Sequence, residues 1–220
     1  MTNDPQQLME QGWKARGDYR FAESEKLLTT AYKIFLSQKD YSNASECLNH
    51  LAYLYKTISF ENSNKAKDYA NKALELCQKH HVKNTLAFRA NASVYKYAGN
   101  FEKAEKYVLE FLKKETNPAP RADMLGDLAF VTMRRGNIQK AKEIINEALS
   151  ELERGWEAER MPHKIIWKTK LLMHKSLILY NLGKVGKAKI IAQNALELAK
   201  ENKLKMRLAE SQELLTTFSS

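Results

Sequence analysis

Two Cys–His pairs are the first residues whose spacing invites a chemical reading. Cys47 lies one helical turn before His50, and Cys77 lies one turn before His80 and His81. In a helical hairpin those two segments would meet, and two thiolates and two imidazoles could surround a tetrahedral zinc ion. The competing reading is plainer. Cys47 stands beside the apolar Leu48 and Leu51, where a free cysteine packs as a small hydrophobe. The histidine pair follows the last turn of its segment, where a helix carbonyl end favours a cation. Structural zinc sites normally take tighter ligand pairs from loops, so the spacing predicts two free thiols and no metal.

No other arrangement points to catalysis. The sequence contains no P-loop, no Gly-x-Ser-x-Gly, no His-Glu-x-x-His and no dinucleotide fingerprint. Its carboxylates lie beside lysines at helix-surface spacings, which reads as solvated ion pairing. Neither an enzyme nor a cofactor is expected.

Composition narrows the class further. A hydrophobic content of 44% with 10% aromatics is enough for a buried core and excludes disorder as the main state. Two cysteines in 220 residues make no disulfide framework, so a reducing cytoplasm is expected. No run of 18 apolar residues predicts a membrane span, and the first twenty residues have no signal-peptide pattern. The net charge of +10 is concentrated late, residues 161–220 holding 11 Lys or Arg against 4 Glu. Such an end attracts nucleic acid, acidic protein or anionic lipid. It is equally what a lysine-rich solvated surface looks like.

The elements that position these residues repeat. The stretch beginning Gly99-Asn-Phe-Glu-Lys-Ala recurs as Gly136-Asn-Ile-Gln-Lys-Ala and Gly183-Lys-Val-Gly-Lys-Ala, and without glycine as Asn64-Lys-Ala. Each copy is a turn opening a helix, with an alanine at the contact point: Ala66, Ala104, Ala141 and Ala188. They lie 38, 37 and 47 residues apart, a period that means stacked helix pairs. On the preceding helix a small residue answers each one: Ala52, Ala92, Ala129 and Ser176. The separation is 12 residues in three copies and 14 in the first. Small residues at both sides of a crossing let two backbones approach closely.

This pattern resembles the tetratricopeptide repeat, W-x2-L-G-x2-Y…A-x3-F…P, well over residues 43–202 and poorly over 5–38. The resemblance implies a single all-α domain, 1–220, built as a superhelical solenoid of antiparallel helix pairs. The expected pairs are 5–38, 42–80, 84–115, 120–155 and 164–202, with a C-terminal capping helix over 204–217. Asp4-Pro5 reads as an N-cap with proline in the first turn. In the first pair the spacing slips by about two residues, as a degenerate terminal repeat would. Residues 150–168 hold about ten extra residues, with Gly155 and Pro162 as breakers and Trp156 and Trp167 as large apolar side chains. Either the flanking helices are longer and the tryptophans pack together, or the segment protrudes.

In the resembling family the first helix of each pair lines the concave surface. Positions at i, i+3, i+7 and i+10/11 on these helices share a face and avoid the contact residues above. The groove expected here is therefore Arg89, Lys96, Tyr97, Phe130, Met133, Arg134, Lys170, Met173, Leu177 and Tyr180. Its apolar side chains are expected to be exposed anchors, flanked by basic residues that suit a partner segment with acidic and hydrophobic residues. The alternative is that neighbouring repeats bury the stripe. A subgroup of the family grips chaperone tails with Lys and Asn at set positions. Here Tyr53 and Ser93 stand where asparagine is wanted, and Asp123 and Asp127 where basic residues belong. The expected function is a cytoplasmic protein-interaction scaffold with no membrane insertion; the second expectation is nucleic-acid or acidic-partner binding through the basic C-terminal third.

Overall fold

The computed structural model of the protein describes residues 4–58, 63–82 and 85–218. Among them are eleven α-helices and no strand. They are α1 (Pro5–Gly17), α2 (Phe21–Ser37), α3 (Tyr41–Ile58), α4 (Ser63–Lys79), α5 (Leu86–Tyr97), α6 (Phe101–Lys114), α7 (Pro118–Arg134), α8 (Ile138–Arg154), α9 (His163–Asn181), α10 (Val185–Glu201) and α11 (Lys205–Thr217). The all-α expectation and the succession of helix pairs are borne out. The turn expected to open the glycine-free copy at Asn64 lies partly outside the described residues.

The chain divides into two compact units, Met1–Phe111 and Leu112–Ser220. In the first unit α1 packs on α2, α2 on α3, α3 on α4, and α5 on both α3 and α4. In the second, α7 pairs with α8 and α9 with α10; α9 also lies against α7 and α8, and α11 against α9 and α10. Each unit therefore shows the same rule. A first helix touches its own partner and the first helix of the neighbouring pair.

The small residues named from the sequence are the crossing points. Ala52, Ala66, Ala92, Ala104, Ala129, Ala141, Ser176 and Ala188 are all fully buried. The first pair follows the same rule, which corrects the expected slip in spacing. A Cβ on Gly12 would fall 2.7 Å from Leu28 Cγ, and Ser24, twelve residues on, is fully buried. Gly12 and Ser24 thus take the two small positions at the usual interval.

The turns share one hydrogen-bonded form. After α1, α2, α4, α5, α7, α9 and α10, an amide reaches back to a carbonyl five residues earlier, as in Arg20 to Ala15 and Asn100 to Tyr95, both at 2.9 Å. That closure needs a left-handed residue just before the amide. Gly99, Gly136 and Gly183 supply it after three first helices (φ 75°, 93° and 73°), whereas Tyr19, Lys39, His81 and Lys203 adopt it without glycine's freedom. Asn100 and Asn137 then cap the next helix, their Oδ1 atoms accepting from Lys103 N at 3.1 Å and Lys140 N at 3.2 Å.

The extra residues before α9 do not lengthen α8, which at 17 residues matches α10. They form a loop over 155–162 that tucks against the start of α7. A Cβ on Gly155 would lie 2.6 Å from Ala119 N, so only glycine allows that approach. Trp156 and Trp167 both join the apolar core of this unit. Trp156 carries Lys164 and Lys168 over its ring at 5.1 and 4.9 Å, and Trp167 stacks on His163 at 5.7 Å.

Candidate functional site

In the first unit, α1, α3 and α5 present one shared face centred on Tyr53. The Arg16 guanidinium carbon lies 5.4 Å from the Tyr53 ring centre and Lys56 Nζ lies 5.5 Å from it. Arg16 also donates to the His50 carbonyl at 3.5 Å, and Lys56 Nζ donates to Ser93 Oγ at 3.0 Å. Three successive first helices are thereby tied through one aromatic ring and neutral acceptors. Cations over a phenol face are held by the ring quadrupole, at about 0.5–1 kcal/mol each where exposed.

On the same helix as Tyr53 lie buried polar groups without a hydrogen-bond partner among the described residues. Asn49 is only 2% exposed, and neither its Oδ1 nor its Nδ2 has a hydrogen-bond partner among the described residues. The same holds for His50 Nδ1, while His50 Nε2 faces Glu46 Oε1 at 3.8 Å. Burial is the main force lowering the His50 pKa; Arg16 and Arg89 lower it further, and Glu46 partly opposes them. At neutral pH the imidazole is uncharged, so the positive charge of this face comes from Arg16, Lys56 and Arg89. Lys96, which is half-buried, and Tyr97, 47% exposed, continue the face along α5.

In the second unit the corresponding face is closed on itself. Lys170, 8% exposed, donates to the Asp123 carbonyl at 2.9 Å and to Asp127 Oδ1 at 3.1 Å, and pairs with the Asp123 carboxylate. Burial disfavours the charge on Arg207 of α11, but Glu210, Asp123 and Asp127 outweigh that and raise its pKa. His174 Nδ1 bonds the Gly126 carbonyl at 2.9 Å and its ring lies 5.0 Å from Phe130. Met173 Sδ receives the Ser211 hydroxyl of α11 at 3.3 Å, and Tyr180 stacks on Phe218 at 4.6 Å.

The stripe expected to be exposed is therefore divided. Tyr97, Arg134 and Tyr180 are exposed, and Arg89, Lys96, Phe130 and Leu177 are half-buried. Met133 and Met173, at 8% and 7%, are interior, as is Lys170, and this corrects the expectation that they are free anchors. The cause is lateral packing: in this unit the face of one first helix that looks away from its own partner is covered by the first helix of the next pair. Phe130 and Leu177 pack on the core cluster that holds Met133. Arg16, Asn49, Tyr53 and Lys56 are outside the groove expected from the sequence, and nothing in one sequence marks Asn49 as unsatisfied.

The Cys–His pairs do not converge. Cys77 Sγ bonds Ser45 Oγ at 3.0 Å, His80 stacks on Tyr41 at 3.5 Å between ring centres, and His50 faces Glu46. Both thiols are free and buried, and burial is the leading cause of the rise in pKa of each. Among the described residues no three His, Cys, Asp or Glu side chains are grouped to hold a metal ion, and no helix is long and apolar enough to cross a membrane.

The sequence matches no family model and no curated protein. Solved structures do match its fold. A signal-transduction ATPase with numerous domains from Pyrococcus horikoshii, described as carrying a tetratricopeptide repeat sensor, aligns with 98% of this chain at 19% identity and a TM-score of 0.65. This chain spans 32% of that protein's length. Pseudomonas aeruginosa pilF aligns over 97% of this chain and 90% of its own at 15% identity, TM-score 0.60. A putative kinesin light chain with nearly identical TPR-like repeats, from Podosopora anserina, covers 91% of this chain and 97% of its own at 13% identity, TM-score 0.59. The chain has the tetratricopeptide-repeat fold.

Proposed function

We propose that the chain is a non-catalytic scaffold that holds a segment of another protein against the first-helix faces of its repeats. The observation that carries the reading is the α1–α3–α5 face. There an aromatic ring is flanked by cations, one turn along α3 from the buried amide of Asn49, which has no partner among the described residues. A buried amide without a partner costs about 1–3 kcal/mol, and such a cost is offset when a ligand supplies the missing bonds. The residues of the proposed surface in the first unit are Tyr53, Lys56, Arg89, Lys96 and Tyr97. In the second unit Arg134 and Tyr180 are exposed and Phe130 and Leu177 half-buried, with Met133, Lys170 and Met173 supporting them from within. Basic and aromatic side chains together select a partner segment with acidic and hydrophobic residues.

The test is capture from native extract with three baits: the unaltered chain, Arg89→Glu on the proposed face, and Lys140→Glu on the exposed side of α8 as control. A stoichiometric protein held by the first and third baits, lost with Arg89→Glu, and retained between about 50 and 200 mM salt is the expected result. Capture of nucleic acid that collapses over that salt range, or loss with the α8 control alone, refutes the reading. The basic C-terminal third is a weaker candidate, because Lys170 is buried in ion pairs and Arg207 is paired with Glu210.

A further inference from the structure

We propose that one edge of α9 binds an acidic segment of a partner protein, through Arg160, Lys164, Lys168 and Lys175. This goes beyond the first-helix reading and stands on other residues.

Placement is the first argument. At 3.6 residues per turn Lys164, Lys168 and Lys175 fall within about 40° of one another around α9, roughly opposite Met173 and Tyr180. The Lys164 amide donates to the Arg160 carbonyl at 3.4 Å, so Arg160 stands one turn ahead in the same row. A step of four residues separates neighbouring cations by about 6 Å along the axis.

Charge is the second. None of these four side chains forms an ion pair among the described residues. Lys170, by contrast, is paired with Asp123 and Asp127, and Arg207 with Glu210. Of the acids in the adjoining loop, Glu159 lies 3.4 Å from His163, and Glu157 pairs with none of the four.

Preorganisation is the third. Lys164 and Lys168 stand over the Trp156 ring at 5.1 and 4.9 Å, and Lys164 Nζ also donates to the Trp156 carbonyl at 3.1 Å. The indole thus holds two flexible side chains in place before a ligand arrives, which lowers the ordering cost of binding. An ammonium has three N–H donors. Lys164 uses one of them and Lys168 none on acceptors among the described residues. A carboxylate only accepts, and takes such donors in charge-assisted bonds.

The row also selects among acidic partners. The Trp156 ring is packed on the apolar core and carries two ammoniums, so it is not offered to a nucleic-acid base for stacking. Lys164 and Lys175 are half-buried, within reach of a narrow chain laid along the helix rather than of a flat lipid surface. Carboxylates two residues apart in an extended chain are separated by about 6.6 Å, close to the step between neighbouring cations.

The experiment uses the full chain and a capped hexaglutamate peptide, with capped hexaglutamine as control, at about 50 mM salt. The indole N–H signal of Trp156, assigned by its loss in Trp156→Phe, is followed by NMR. Hexaglutamate is expected to give a saturating shift of that signal, and hexaglutamine none. Lys168→Gln and Lys175→Gln should each weaken binding about two- to fivefold. Combining both with Lys164→Gln should weaken it about tenfold or more, and Lys189→Gln on α10 should leave it unchanged. Thermal unfolding of each variant checks that the fold is intact. An oligo-deoxythymidine and vesicles of mixed phosphatidylcholine and phosphatidylserine are titrated beside the peptide. The proposal is overturned if hexaglutamate gives no saturating shift, or if Lys189→Gln weakens binding as much as Lys168→Gln does. It is equally overturned if the oligonucleotide or the vesicles bind more tightly through the same lysines. Each of those outcomes leaves the first-helix reading standing, since Arg89 belongs to the other unit. Failed capture of a protein by the unaltered chain would instead strike the first-helix reading and leave hexaglutamate binding in place.

Discussion

Replacing Lys170 with methionine separates an interior role from a binding role. Methionine keeps most of the side-chain length but removes the ammonium, leaving Asp123 and Asp127, 2% and 3% exposed, without the cation that bonds both. Removing one partner of a buried ion pair costs about 3–5 kcal/mol, because the remaining charge stays buried and unpaired. Here two carboxylates are left, partly compensated by Arg207, so the upper part of that range is expected. For a protein of this size about 1 kcal/mol moves the melting temperature by roughly 2–4 °C. Thermal unfolding followed by circular dichroism should therefore shift by about 8–20 °C, while Lys189→Met on the exposed side of α10 stays within about 0.5 kcal/mol. Adding Asp123→Asn and Asp127→Asn to Lys170→Met should recover part of the loss, since the stranded charges are gone. That recovery distinguishes a charge effect from lost packing. A cost below about 1 kcal/mol for Lys170→Met, or no recovery in the triple variant, would refute the account of Lys170 as an internal tie between α7 and α9.

Other outcomes follow from the same structure. Ala141→Leu should overpack the fully buried crossing of α7 and α8 and cost about 1–3 kcal/mol in chemical denaturation; a neutral result would displace the crossing. Gly136→Ala forces a side chain into φ 93° and should cost about 1–2 kcal/mol, measurable by the same assay. Because the folded His50 pKa is depressed by burial and by Arg16 and Arg89, the unfolded chain binds the extra proton first. Its contribution to stability is therefore present above the ordinary histidine value of about 6.5 and is lost as pH falls below it. His50→Gln should flatten that slope, and an unchanged pH profile would argue against a buried neutral imidazole. Phe130→Ala should now lower stability, since the ring packs on the core and on His174; unchanged melting with lost partner binding would restore the ring as a free anchor.

Much of the fold was legible because its punctuation is chemical. Gly99, Gly136 and Gly183 mark turns that need a left-handed residue, and Asn100 and Asn137 cap the helices that follow. The small crossing residues recur 12 residues apart in three pairs, and 14 apart between Ala52 and Ala66, because two backbones must touch once per pair. The first pair was harder to read for the same physical reason: it meets the steric demand with Gly12 and Ser24 rather than two alanines, so a search for alanine misses an interval that is in fact preserved. The sequence leaves the loop over 155–162 open between extra helix and protrusion because the feature that shapes it is not local. Gly155 is needed only because Ala119, 36 residues earlier, comes within 2.6 Å of where a Cβ would be.

The stripe shows where periodicity stops being informative. A first helix in this fold has two non-solvent sides, one against its own partner and one against the next first helix, and residues three and four apart line either equally well. Met133, Lys170 and Met173 have the spacing expected of a groove because the lateral contact lies beside the groove on the same helix. What separates the two sides is pairing across 40 residues or more: Lys170 with Asp127, His174 with Gly126, Asn181 with Met133 Sδ at 3.8 Å. Asp123 and Asp127, puzzling as negative charges on an expected basic groove, were the legible half of this arrangement. Two acids one turn apart on a face that buries its neighbours require a cation, and Lys170 on the adjacent first helix supplies it.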